Sequence, residues 1–184
     1  MKKLLIMSTI LLFLFIGCVK NVQPYRASIK DGVGFFTFEG TLTSMYFPGA
    51  LEYFSTRNIK KVVMEIHSPG GNIYEMWRII SWIEKYDNIR FETRVYGIAA
   101  SAGFVIFLAG DERLVSRHAI FMWHNLASFT AGARLLNKAN NGYIASRTIL
   151  TIEQVLEKIT NDDKDWYFGA KEAIFLGIAH GYID

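Results

Sequence analysis

The sequence predicts a largely parallel α/β sheet with covering helices. Two observations point to it. Short runs rich in β-branched and aromatic residues alternate with segments of helical period from residue 33 onward. The chain of 184 residues is also 51% hydrophobic, long and apolar enough to enclose one core. Strands alternating with helices imply parallel neighbours covered on both faces.

The elements follow in order. Val33-Gly34-Phe35-Phe36-Thr37-Phe38 reads as the first strand, and Pro48 to Arg57 as a helix with Pro48 suited to its first turn. Val62-Val63-Met64-Glu65-Ile66 is the next strand. The stretch Asn72 to Tyr86 carries Ile73, Met76, Trp77, Ile80 and Ile83 at helical spacing, with Asn72 as its cap. Phe91 to Tyr96 is a third strand, and Ala102 to Gly110 a short apolar helix closed by glycine. Ala119 to Trp123 is a further strand, and Ala131 to Leu150, Ile152 to Thr160 and Ala170 to Leu176 are the closing helices. There are no internal repeats.

The first residues are of a different kind. Met1-Lys2-Lys3 followed by the apolar run Leu4 to Gly17 has the charge and length of a secretory signal, too short to span a bilayer comfortably. Phe15-Ile16-Gly17-Cys18 resembles the lipobox of bacterial lipoproteins, with phenylalanine where leucine is usual. That resemblance implies lipidation of Cys18 and an extracytoplasmic, membrane-anchored protein; a cytoplasmic location is the runner-up. Cys18 is the sole cysteine, so no intrachain disulfide can form. The expected organisation is a signal peptide over 1–17, a polar tether over 18–31 containing Pro24, and one domain over 32–184.

Losing residues 1–17 removes Lys2 and Lys3 and no acid, so the formal charge falls from +3 to +1. The basic balance therefore says little about partners. No Lys/Arg run suggests nucleic-acid binding. Neither C-x-x-C, H-E-x-x-H nor a Walker-type glycine loop occurs, so neither metal nor cofactor is expected.

Ser101 stands among small residues in Gly97-Ile98-Ala99-Ala100-Ser101-Ala102-Gly103, where a strand gives way to a helix. It reads equally as a helix cap or as a nucleophile at a dipole end that favours negative charge. Acyl transfer by serine further needs a base, a group that orients the base, and donors for the oxyanion. His124, where the strand Phe121-Met122-Trp123 ends, reads as that base or as a hydrogen-bonded rim residue. His118 and His180 lie in polar or terminal contexts and read as solvated. Ser68-Pro69-Gly70-Gly71-Asn72 joins a strand to a helix; it is either an ordinary turn or a backbone donor site.

Taken together, His67-Ser68-Pro69-Gly70-Gly71, the Gly97 to Gly103 segment and Met122-Trp123-His124-Asn125 resemble the three motifs of the Clp protease proteolytic subunit (ClpP) family, in matching order and spacing. Asp165 to Ala173, Gly177 and the terminal Tyr182-Ile183-Asp184 resemble its closing segment, so the likeness runs from about Phe35 to the C-terminus. The resemblance implies a ClpP/crotonase-like fold and a serine endopeptidase acting on peptides or unfolded proteins. It makes Ser101 the nucleophile, His124 the base, Asp165 the orienting carboxylate, and the Gly71 and Ala102 N–H groups the oxyanion hole. Asp162 and Asp163 stand close enough in sequence to compete with Asp165. A ring-shaped homo-oligomer is implied too, for which Trp77, Trp82, Phe129 and Leu136 are interface candidates as well as core candidates.

The sequence departs from the family in three places. His67 replaces the asparagine usual before Ser-Pro-Gly-Gly, the N-terminal region is short, and so is the segment between His124 and Asp165. The shortened segments count against a stacked double ring and against docking to an ATP-driven unfoldase. Two rival functions remain. One is a Ser–Lys signal-peptide-peptidase-like enzyme using Lys138 or Lys158, and the other an inactive assembly or binding protein on the same fold. The chain order Ser, His, Asp and the presence of Ala99 exclude an α/β-hydrolase elbow.

Overall fold

The computed structural model describes residues 26–43, 46–128, 130–160 and 165–184. Among the described residues eight strands and six helices follow one another: β1 Ala27–Lys30, β2 Val33–Glu39, α1 Phe47–Ser55, β3 Lys61–Ser68, α2 Ile73–Lys85, β4 Arg90–Ala100, α3 Ala102–Leu108, β5 Glu112–Val115, β6 Ile120–Trp123, α4 Ala131–Ser146, α5 Ile152–Thr160, β7 Trp166–Gly169, α6 Ala170–Phe175 and β8 Gly181–Tyr182. The signal segment and Cys18 lie outside the described residues. Ala27–Lys30, expected in the tether, pair antiparallel with β2 as an edge strand, so the anticipated domain boundary near residue 32 falls inside a hairpin.

The sheet runs β1-β2-β3-β4-β5-β8, parallel from β2 onward. Its strands advance across the sheet in one direction, and right-handed crossovers then place successive helices on a single face. Phe47 of α1 packs on Phe36 with ring centroids 5.0 Å apart, and α2 and α3 extend the same layer. The expectation of cover on both faces therefore fails for the central strands. On their open face, Glu92 is 2% exposed and is ion-paired by Lys61 and Arg94. Burial by itself would raise the Glu92 pKa, but the hydrogen bonds and charges of Lys61 and Arg94 bring it below the ordinary carboxylate value.

β4 is longer than the sequence suggests because it serves two partners. Its first half, Glu92 to Val95, pairs with β5, and Ile98 to Ala100 pair with β6. Between them the register against β3 slips from Ile66↔Val95 to Ser68↔Ala99, so Tyr96, Gly97 and Ile98 face His67 alone. Such a bulge bends its strand. The His67 ring lies over the glycine of this bulge, so that a Cβ on Gly97 would lie 2.7 Å from His67 Nδ1 and the exposed ring would have to turn. The bend carries the end of β4 into a second layer, where β6 pairs antiparallel with β7. α3 is buried between the two layers, and its Phe104 meets Phe121, Trp123 and Phe168 at 5.5–6.2 Å.

The last helices differ slightly from expectation. α4 ends at Ser146 rather than Leu150, and the Arg147 side chain just beyond it donates to the carbonyls of Leu108 and Gly110. Arg113 of β5 is buried and donates to the carbonyls of Gly110, Arg147, Gly177 and Ile178. Burial, helped by the nearby Arg147 charge, pushes its pKa down to about 10. Among the described residues no helix is long and apolar enough to cross a membrane.

Candidate active site

Three strand ends meet at the C-terminal edge of the parallel sheet, where open α/β sheets place their sites. The first is the turn after β3. Ser68 is fully buried, donates to the Gly40 carbonyl at 2.7 Å and accepts from the Gly70 N–H at 3.1 Å, which fixes the glycine pair. Gly70 and Gly71 have φ of 102° and 147°, a region that L side chains rarely adopt. Leu42 clamps the turn from the far side: its N–H donates to the Gly70 carbonyl, and its own carbonyl accepts from Asn72. Asn72 then caps α2 as expected, accepting from the N–H groups of Tyr74 and Glu75.

The second strand end is Ser101. It precedes α3 at the cap position, yet its side chain makes no capping bond. Its backbone sits at φ 51° and ψ −122°, a strained conformation for a residue with a Cβ. The strain turns Oγ away from the helix it would otherwise cap. It points to His124, whose Nε2 lies 2.9 Å away. Of the two sequence readings, the helix cap is the one the geometry does not realise.

His124 arrives from the third strand end. β6 pairs with the end of β4, and the Ser101 N–H extends that pairing to the Met122 carbonyl at 2.8 Å. The residue two positions beyond Met122 is thereby brought beside the serine. Asp165 comes from β7. The antiparallel pairs Met122↔Tyr167 and Trp123↔Trp166 place it next in register, opposite His124. The Asp165 side chain is exposed and makes no hydrogen bond with His124. Asp162 and Asp163 lie outside the described residues.

The glycine turn and the serine turn touch. A Cβ on Gly70 would lie 2.7 Å from Ser101 Cβ and 3.2 Å from the Ala102 nitrogen. Among the described residues, neither the Gly71 nor the Ala102 N–H has an acceptor. The arrangement thus offers a hydroxyl, an imidazole in hydrogen-bond contact with it, and two unused backbone donors beside it. No group of His, Cys, Asp and Glu among the described residues could hold a metal ion.

Other candidates lie elsewhere. Lys158 pairs with Glu172 at 3.3 Å and sits over the Trp166 ring, while Lys138 is exposed on α4. His180 is exposed, and its Nδ1 accepts from the Arg113 N–H at 3.2 Å. His67 is exposed over Gly97. Sequence reasoning missed the holding role of Ser68 and the buried asparagines of α4. The serine had a usable signal, since the residue before Pro-Gly-Gly must fix that turn. The asparagines had none, because Asn in a helix ordinarily reads as exposed.

Comparison with known proteins accords with this geometry. Residues 49–184 match the family model described as Clp protease. Among solved structures, an Asn-to-Asp mutant of ClpP1 from Listeria monocytogenes superposes with a TM-score of 0.74 at 21% identity, covering 82% of this chain and 91% of that one. The ClpP protease catalytic domain from Plasmodium falciparum gives a TM-score of 0.72 at 25% identity, with 82% and 85% covered. No curated protein matches the sequence. With the family model spanning most of the chain and the sheet and helices following those of ClpP structures, the chain belongs to the Clp protease family.

Proposed function

We propose that this protein is a serine endopeptidase acting on peptides or unfolded chains, with Ser101 as nucleophile and His124 as base. The observation that carries the reading is the 2.9 Å contact between Ser101 Oγ and His124 Nε2, made by a serine whose strained backbone forgoes the helix cap. In the reaction Oγ attacks the peptide carbonyl carbon while its proton passes to Nε2. The C–N bond then breaks as His124 returns that proton to the leaving amine, and water hydrolyses the acyl-enzyme by the same route in reverse. The N–H groups of Gly71 and Ala102 receive the oxyanion, each worth about 3 kcal/mol of barrier. Asp165 is assigned the orienting role on its register opposite His124, closing on the imidazole by a side-chain rotation.

The Ser–Lys alternative is less well supported, since it is His124 that contacts Ser101 Oγ, while Lys158 pairs with Glu172 and Lys138 is exposed on α4. Assembly into a homo-oligomeric ring is part of the proposal. It is supported by the apolar side chains left outside, among them Tyr167 at 60% and Phe175 at 79% exposure. Anchoring through a lipidated Cys18 rests on the leader sequence alone.

Labelling with a fluorophosphonate tests the chemistry. Wild type and Lys158→Ala should label, and Ser101→Ala and His124→Ala should not; a wild type that resists labelling in every assembly state would refute the peptidase. Labelling lost with Lys158→Ala but kept with His124→Ala would replace the base. For the anchor, radiolabelled fatty acid should enter wild type and not Cys18→Ser, and equal incorporation would refute lipidation.

A further inference from the structure

His124 directly follows β6 at the start of a loop, and the carboxylate opposite it makes no bond to its ring. Something else has to hold the imidazole within reach of Ser101. Asn141 of α4 is 2% exposed, although it is an amide inside an apolar layer. Its Oδ1 accepts from the Trp123 indole N–H at 2.9 Å, and its Nδ2 donates to Asn125 Oδ1 at 3.0 Å. One side chain therefore grips the residues immediately before and after His124.

Two further contacts make that grip stiff. One turn earlier on the same helix face, Asn137 Oδ1 accepts from the Leu126 N–H at 2.8 Å, fixing the next residue of the loop. Asn140, 1% exposed, accepts from the Trp77 indole at 3.1 Å and ties α4 to α2. The Trp123 ring also packs on Phe104 of α3, the helix that Ser101 begins. The same indole thus relates the base-bearing strand to the nucleophile-bearing helix. Buried amides are costly unless both ends are satisfied. Here both ends are satisfied, and both partners flank the base.

We propose that Asn141, acting with Asn125, is the positioning residue for His124, holding the imidazole at Ser101 from the side of α4 independently of Asp165. The proposal rests on the serine-peptidase reading for its catalytic consequence but not for its geometry. Asn141→Leu keeps the volume and removes both bonds. Asn141→Asp keeps an acceptor for the indole, and the Asn125 amide can rotate to donate to the second oxygen.

The full-length protein is treated with diethyl pyrocarbonate and the modification rate of each histidine is followed by mass spectrometry. His180, held by the Arg113 N–H of β5 next to β8, is the internal reference. In Asn141→Leu, His124 should react several-fold faster with His180 unchanged. The maximal rate of fluorophosphonate acylation should fall by about tenfold to a hundredfold with the reagent's binding constant unchanged, as a misplaced base requires. Asn141→Asp should restore both readouts to within about threefold of wild type, since only the donor end is exchanged. Asn125→Ala, which opens one bond at a half-buried position, should show the same pattern more weakly and serves if Asn141→Leu does not fold. Equal changes at His124 and His180, no change at either, or an Asn141→Asp variant as impaired as Asn141→Leu would overturn the proposal. A wild type that never acylates would sink the peptidase reading, while the diethyl pyrocarbonate rates would still decide the role of Asn141.

Discussion

Replacing Ser101 by glycine should leave the protein at least as stable as replacing it by alanine, and the difference measures the strain held in the Ser101 backbone. Ser101 sits at φ 51° and ψ −122° with no capping bond to compensate. Holding an L-residue in a sparsely populated region costs about 1–3 kcal/mol. Both variants lose the Ser101–His124 hydrogen bond, so that contribution cancels in the comparison. Glycine recovers the strain but adds about 0.5–1 kcal/mol of unfolded-chain entropy relative to alanine. The net expectation is that Ser101→Gly exceeds Ser101→Ala by about 0–2.5 kcal/mol, or up to about 10 °C in Tm for a chain of this size. Denaturant titrations and thermal scans of the two variants, at matched protein concentration and assembly state, read the difference. A Ser101→Ala variant clearly more stable than Ser101→Gly would show that the backbone holds less strain there than the glycine entropy cost.

Three further outcomes follow from the geometry. In Gly71→Ala the new Cβ would collide with the Leu42 carbonyl oxygen and lie 2.7 Å from its nitrogen; backbone cannot swing aside, so the turn should shift, lowering acylation by about 10²–10³-fold, and unchanged kinetics would remove Gly71 from the site. Glu92→Gln should cost about 1–3 kcal/mol at pH 7 by unpairing Lys61 and Arg94. Because the folded pKa of Glu92 lies below its ordinary value, this contribution is present above the unfolded pKa and fades as the pH falls through the folded one; denaturation curves of wild type and variant should therefore converge in acid, and a constant gap would refute the ion-pair account. Asn72→Ala, losing the acceptor for Tyr74 and Glu75, should cost about 1 kcal/mol in the same titrations, with no loss meaning that water replaces the cap.

Much of the fold was legible because its signals are local. The α2 periodicity, the Asn72 cap and the span of α5 appear where the sequence puts them. The misses are long-range. β4 read as ending at Tyr96 because Gly97 resembles a terminator; only the neighbouring His67 ring reveals a bulge. β7 is four residues long and exists through its pairing with β6, which no window along the chain contains. One-sided helix cover depends on strand order, again invisible locally.

At the site, Ser101 and His124 were named as nucleophile and base through the family resemblance, while the Ser101 segment by itself read equally as a helix cap. The missing capping bond and the 2.9 Å contact with His124 are long-range facts that no local pattern carries. Asp165 owes its place to strand register rather than to the acidic cluster around it. Asn141 escaped notice because its burial comes from α4 packing over Trp123, a contact 18 residues apart in the chain.

The most direct test of the central claim is hydrolysis of short fluorogenic peptides by the assembled protein, with Ser101→Ala and His124→Ala beside it. Short peptides need no unfolding, so the assay reports the site alone. Wild type should turn the peptides over, and each variant should lose about 10³-fold or more; turnover that persists in Ser101→Ala would contradict Ser101 as the nucleophile.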